Sequence, residues 1–308
     1  MEKKIFFLLF RLCAELKLAY RFWVKDHYDI EVAYLETIAT KVIGQSCNKK
    51  AAKIAWVHCD LSLKDDMKGK ANKIEKIYSV FDKIVCVSHD AQFGFHKLLG
   101  QDFNTIVLPN VIDDTEILEK SKKIIQYHGN PSAIQMIAVG RLTRQKNFSY
   151  LIDSCSKLRD DGCHFFLNIL GEGPERENLE QKIIDLELEN FVTLRGFISN
   201  PYPWIKQADI VVCSSKYEGI STVIQEALIM NKPIVTTPCT GMTELLGNSE
   251  YGMIVTPSID GLYKGLYQMI SSKDLRYYYS ERAKERSHLL SKSLAIRLTQ
   301  DFFLNVLH

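Results

Sequence analysis

"IQMIAVGRLTRQKNFSYLIDSCSKLRD", residues 134–160, decides how this chain folds. It opens with a nearly unbroken apolar run. Gly140 then allows a turn, a polar loop follows, and the apolar residues of "NFSYLIDSCSKLRD" recur at helical spacing. This is a strand, a loop and a helix. Apolar runs of the same kind follow at 164–171, 191–196, 209–215, 233–237 and 252–256, with helical patterns such as "PERENLEQKIIDLEL" between them. An earlier series stands at 29–35, 52–58, 83–88 and 105–110. Near-continuous apolar strands joined by helices predict parallel sheets covered on both faces. Two series predict two α/β domains, 1–128 and 129–308, joined through the polar stretch "SKKIIQYHGNPSA" (121–133). The last helix is a candidate to pack back on the first domain.

The 308 residues fit two domains of ordinary size, and 46% apolar with 25% charged residues is a globular composition. A formal net charge of +2 gives no electrostatic reason to expect a nucleic-acid partner. Cys13, Cys47, Cys59, Cys86, Cys155, Cys163, Cys213 and Cys239 include no CxxC pair, so neither a zinc site nor a dithiol motif is expected. Several lie inside strand-like runs and read as reduced, buried thiols of a cytoplasmic protein. At the start of the chain, the apolar run Ile5–Phe10 is too short to span a bilayer, and Arg11 interrupts any signal-peptide core. The basic, amphipathic character of this segment suits a helix packed on the first domain. A helix making peripheral contact with anionic lipid is the alternative.

In open parallel sheets, ligands bind beyond the carboxyl ends of the strands. Four clusters occupy such places. In "VGRLTRQKN" (139–147), Gly140 allows the turn, and Arg141 and Lys146 offer a fork and a point charge suited to a diphosphate; a solvated basic loop is the plain alternative. In "LGEGPE" (170–175), Gly171 and Gly173 suit a bare strand-turn-helix junction or close backbone approach to a flat base. In "KYEGISTVIQEA" (216–227), Thr222 and Gln225 can form a capping box, which starts a helix near Ser221 or Thr222. That does not explain Gly219, nor the acids Glu218 and Glu226 on either side. The free amides of a helix start attract phosphate, and a carboxylate one turn inside can accept ribose hydroxyls. In "AWVHCD" (55–60), His58 ends a strand, as a structural histidine or a site residue; Ser88 and Asn110 are open in the same way.

In order, "VGRL…QKN", "LGEGPE", "LRGF" and "EGISTVIQEA…NKPIVTT" resemble the retaining glycosyltransferases of family 4, also called glycosyl transferases group 1. "YDIEVAYLE" and "KIAWVHCDL" look like first-domain segments of bacterial polysaccharide-building members. The resemblance covers about 29–270. It implies a GT-B fold, two Rossmann-like parallel-sheet domains facing a cleft, and a nucleoside-diphosphate sugar donor, taken as a UDP-sugar. Carried over by position, Arg141 and Lys146 bind the diphosphate with Gly140 and the amides near Thr222 and Val223, beside Gly219. Glu226 holds the ribose. Gly171, Gly173, Gly196 and Phe197 lie near the base. Glu218 contacts the donor sugar and His58 the sugar and acceptor, as the catalytic pair. The acceptor implied is a glycan or lipid-linked saccharide. No metal or separate cofactor is expected, and no Asp-x-Asp pair is present.

The chain departs from the family at its start. Members open with a strand and a glycine-rich loop, whereas here no glycine precedes Gly44. The expectation is a first domain lacking its opening part, roughly 50–80 residues on ordinary domain sizing. The explanations are a late start or a fragment, a segment supplied by another chain, or a non-catalytic sugar-nucleotide-binding subunit. A sugar-nucleotide epimerase is a further rival, while "VGRLTRQKN" lacks the GxGxxG turn of a nicotinamide dehydrogenase.

Overall fold

The computed structural model describes residues 13, 18–36, 38–63, 69–125, 132–218 and 220–307. All ten apolar runs contain strands, and among the described residues these strands pair parallel, with one isolated antiparallel bridge between Gly171 and Gly196. The described residues up to Asn110, with those from Ala295 onward, form one compact unit; Val111–Leu294 forms a second.

In the first unit, β1 (Ile30–Ala33), β2 (Ala52–Val57), β3 (Lys83–Cys86) and β4 (Thr105–Val107) lie in the order β1-β2-β3-β4. Ile54, Ala55, Val57, Ile84, Val85 and Cys86 are buried, as strands covered on both faces require. Helix His89–Leu99 follows β3, and its Phe95 ring meets Tyr78 edge-on at 5.1 Å. Ser88 is the N-cap of that helix: its Oγ accepts from the Ala91 amide at 3.0 Å, so this serine is structural. The final helix, Lys292–Leu307, brings Phe302 and Phe303 against Trp56 of β2, with ring centroids 6.2 and 6.1 Å away.

The second sheet contains β5 (Ile134–Val139), β6 (Phe165–Leu170), β7 (Val192–Gly196), β8 (Ile210–Cys213), β9 (Ile234–Thr236) and β10 (Met253–Ile254) in the order β10-β9-β8-β5-β6-β7. The chain builds outward from β5 through β6 and β7, then returns to lay β8, β9 and β10 on the other side. The order therefore reverses between β5 and β8, and the carboxyl ends of these two strands mark the switch point at which open α/β sheets bind ligands. One face is closed by helices Phe148–Asp160 and Ile259–Ser271, the other by helices Asp114–Ser121, Tyr202–Gln207 and Thr222–Ile229.

The expected domain boundary at 128/129 differs from the observed division at Asn110/Val111. The reason is packing: Ile117 of helix Asp114–Ser121 is buried in one core cluster with Ile205 and Ile224. Residues 126–131 of the expected linker lie outside the described residues, as do 1–12 and 14–17 of the basic start. Just after that start, Ala19 and Tyr20 of helix Ala19–Trp23 are buried beside Val42, and Tyr20 donates to Glu31 Oε1 at 2.5 Å. Among the described residues no helix is long and apolar enough to cross a membrane. The eight cysteines are free thiols, with Cys86, Cys155, Cys213 and Cys239 buried.

Candidate functional site

The loops after β5 and β8 meet as the strand reversal dictates. Lys146 Nζ lies 2.5 Å from Glu218 Oε1, joining residues 72 positions apart in sequence. The pair is well shielded, with side-chain exposures of 19% and 9%. Three further bonds lace the loops together. Lys216 N donates to Gln145 O (2.8 Å), Gln145 Nε2 to Tyr217 O (2.9 Å) and Ser214 Oγ to Lys146 O (2.8 Å). Ser215 Oγ also donates to Glu218 Oε1, at 2.5 Å. The Lys146 stem runs directly over Gly140, where an added Cβ would stand 3.0 Å from Lys146 Cε. Gly140 thus gives the lysine its path. Two side chains read separately in the sequence, one for a diphosphate and one for a sugar, form a single ion pair here.

Arg141 is exposed, and with Gly140, Gly171, Glu172 and Phe197 it lines a pocket of about 470 Å³ beyond the ends of β5 and β6. Phe197 is 76% exposed, an uncovered aromatic face at this pocket. The glycines around it fit the junction reading of "LGEGPE". At Gly171 (φ +146°) a Cβ would stand 1.9 Å from the Gly140 carbonyl oxygen, and at Gly173 one would stand 2.3 Å from the Leu142 oxygen. Backbone bonds Gly140 N to Leu170 O, Gly171 N to Gly196 O and Leu142 N to Glu172 O draw the three loops together. Both glycines therefore admit the chain's own backbone. Gly171→Ala is expected to destabilise the protein by about 2 kcal/mol, since no flexible side chain can yield at this contact; a denaturant midpoint equal to wild type would show that the loops are not so closely joined.

Helix Thr222–Ile229 begins where expected, but without the expected capping box. Ser221 is the N-cap and makes no side-chain hydrogen bond to the first turn. Thr222 is the first helical residue and is exposed, and Gln225 is buried with no hydrogen-bond partner for Oε1 among the described residues. The amides of Thr222 and Val223 consequently open the helix without a side-chain cap from Ser221, as an anion-binding start does. One turn in, Glu226 and Thr222 line a pocket of about 200 Å³ with Tyr202, Asp113 and Glu116. Burial pushes the Glu226 carboxyl up to about 7, opposed by a hydrogen bond from Tyr202. Asp113 is held below the usual carboxylate range, chiefly by a hydrogen bond from Lys292.

His58 belongs to the first unit, just after β2. Its amide donates to Glu36 Oε1 at 2.6 Å, and its ring meets Tyr34 edge-on at 5.0 Å. Asn110 ends the same unit, with Oδ1 buried and unpartnered among the described residues. Gly219 lies outside the described residues. Within the second unit, then, Gly140, Lys146 and Glu218 stand together. Arg141, Gly171 and Phe197 share the larger pocket, with Gly173 and Gly196 in the loops beneath. Thr222 and Glu226 share the smaller one, and the Val223 amide lies at the helix start. The sequence reading passed over Ser215 and Tyr202. Ser215 had one signal, its place at the end of the apolar run 209–215, beyond which parallel sheets bind ligands.

The family model for glycosyl transferases group 1 matches residues 120–286, more than half of the chain. The chain belongs to the glycosyl transferases group 1. Among relatives of this group 1 chain, a Campylobacter jejuni protein named N-acetylgalactosamine-N,N'-diacetylbacillosaminyl-diphospho-undecaprenol 4-alpha-N-acetylgalactosaminyltransferase is 32% identical over 60% of the chain and 50% of its own length. An uncharacterised glycosyltransferase of Methanocaldococcus jannaschii is 30% identical over 85% of the chain and 66% of its own length. The group 1 chain thus spans half to two thirds of these relatives. Among solved structures, Anabaena HepE in complex with UDP superposes with a TM-score of 0.79 at 18% identity, covering 96% of this chain and 81% of that one. Sucrose-phosphate synthase of Thermosynechococcus elongatus gives 0.80 at 16% identity, over 96% and 78%. The two parallel-sheet units of the group 1 chain are those of the GT-B fold.

Proposed function

We propose that this chain is a retaining, family 4-type glycosyltransferase. It would move a sugar from a nucleoside-diphosphate sugar to a glycan or lipid-linked saccharide in surface polysaccharide synthesis. The observation that carries this is the Lys146–Glu218 pair beyond the carboxyl ends of β5 and β8, ahead of a helix start that Ser221 leaves without a side-chain cap. In the transfer, the bond from the anomeric carbon to the diphosphate oxygen breaks and a bond to the acceptor oxygen forms. Negative charge gathers on the departing diphosphate. Lys146, Arg141 and the Thr222 and Val223 amides stabilise it through fixed positive charge, a role that calls for no metal. Glu226 accepts the ribose hydroxyls, and Phe197 offers a face to the base above the loops of Gly171, Gly173 and Gly196. Glu218 orients the hexose. The acceptor attacks from the face the diphosphate leaves, and its proton passes to a diphosphate oxygen, so configuration is retained without a covalent enzyme intermediate. His58 serves the sugar and acceptor side.

A UDP-sugar is the proposed donor, supported by the UDP complex of the structurally similar HepE. The Campylobacter relative's name specifies a diphospho-undecaprenol saccharide, which supports a lipid-linked acceptor and peripheral contact with the inner membrane face. Calorimetry with UDP, run beside transfer from UDP-sugars to an undecaprenyl-diphosphate-linked saccharide, tests the proposal. UDP binding with transfer is expected. Binding without transfer favours a non-catalytic donor-binding subunit, and no binding removes the donor site.

A further inference from the structure

Glu218 is held in an uneven way. Both protein donors that reach its carboxylate, Lys146 Nζ and Ser215 Oγ, go to Oε1, each at 2.5 Å. Among the described residues Oε2 has no hydrogen bond or ion pair. Ser215 is itself immobilised. It is 2% exposed, and its carbonyl oxygen accepts from Thr237 Oγ1 at 2.6 Å and Cys239 Sγ at 2.7 Å, both on the segment leaving β9. Thr237 and Cys239 are buried as well. Next to Ser215, Ser214 is tied to the Lys146 carbonyl. A hydroxyl on so fixed a backbone, donating to a charged acceptor, sets the direction of that acceptor.

We propose that Ser215 is a positioning residue, which anchors Glu218 through Oε1 and so presents Oε2 to the donor sugar. The inference rests on the donor reading above and adds which oxygen works and what aims it. The Lys146 contact alone leaves the carboxylate free to pivot about a flexible ammonium, because lysine is a point charge on a long stem. The second, short bond from Ser215 removes that freedom. The end of β9 thereby takes part in the site through Thr237, although it supplies no group to the ligand.

The test compares UDP with UDP-glucose, UDP-galactose and their N-acetylated counterparts, using the sugar the wild type turns over. Ser215→Ala is expected to leave UDP affinity within about twofold and to lower kcat roughly tenfold to a hundredfold, the range for losing one charge-assisted hydrogen bond. Because the lost contact orients the sugar in the transition state, kcat and kcat/KM should fall together. Thr237→Val, nearly isosteric, should move kcat the same way by a smaller factor with a native melting curve. Ser215→Thr, which keeps the hydroxyl, should restore part of the rate. An unchanged kcat in a folded Ser215→Ala variant overturns the inference. So does an equal loss of UDP and UDP-sugar binding, which would mark Ser215 as structural only. If the wild type binds no UDP, the donor reading falls and takes this inference with it. If the wild type binds and turns over donor but Ser215→Ala matches it, this inference falls alone.

Discussion

Lys146→Ala is expected to lose stability and UDP binding together. Glu218 has a side-chain exposure of only 9%, and Lys146 is the cation that neutralises it. Removing one partner of a shielded ion pair leaves a charge that water cannot reach well, at a cost of about 3 kcal/mol, the low end of the range because Lys146 is partly exposed. The loss of one charge-assisted contact to phosphate should weaken UDP roughly tenfold to a hundredfold. From the sequence, Lys146 reads as a loop cation whose removal spares the fold; the ion pair changes that expectation. A double variant separates the two losses. Lys146→Met with Glu218→Gln removes both charges, so most of the stability should return while UDP stays weakly bound. Thermal melts and calorimetry on the three proteins decide the matter. Wild-type melting of Lys146→Ala would mean that the pair contributes nothing, and wild-type UDP affinity would remove Lys146 from the diphosphate site.

Glu226→Gln should produce the opposite combination, a more stable protein that no longer holds nucleotide well. Burial raises the Glu226 carboxyl from 4.5 to about 7. Between these values the folded protein holds a proton that the unfolded chain has released, so stability falls as pH rises. The penalty is absent below about pH 4.5, grows through the interval and is complete above pH 7. On linkage arithmetic it reaches at most about 3 kcal/mol. A glutamine has no charge to desolvate and still accepts from Tyr202, so the variant should exceed wild type in stability at pH 8 and match it near pH 4.5. Its UDP affinity at pH 8 should drop by roughly a hundredfold, because a carboxylate receiving two hydroxyls is replaced by an amide with one acceptor oxygen. The wild type should itself bind UDP less well as pH falls through 7. Equal stability at pH 8, or no change in UDP affinity, would contradict this account.

The strands could be read from the sequence because each is an apolar run that a doubly covered sheet demands; "IQMIAVG" and "HFFLNILG" become β5 and β6 within a residue at either end. The start of helix Thr222–Ile229 was also visible, since Ser and Thr ahead of an apolar stretch mark helix starts. Its capping was not. Thr222 and Gln225 have the right spacing, but Thr222 sits one position too late and Gln225 is turned into the core. The Lys146–Glu218 contact was illegible for a different reason. Nothing in the sequence states that β8 lies next to β5 and not next to β7, and only that order brings the two loops together. The glycines of "LGEGPE" left two readings open because a flat ligand and a neighbouring strand end make the same demand on a backbone. The division of the structure falls earlier than the polar stretch because Ile117, which lies ahead of that stretch, is buried with Ile205 and Ile224 in the second unit.

The return of Ala295–His308 to the first unit makes Val111–Leu294 an insert within a host, entered once and left once. A chimera that exchanges the proposed donor-binding half therefore needs two junctions, one on each side of the insert. A single crossover would separate Trp56 from the aromatic pair Phe302 and Phe303 that packs against it. Recombination between such proteins should favour cassettes over fused halves.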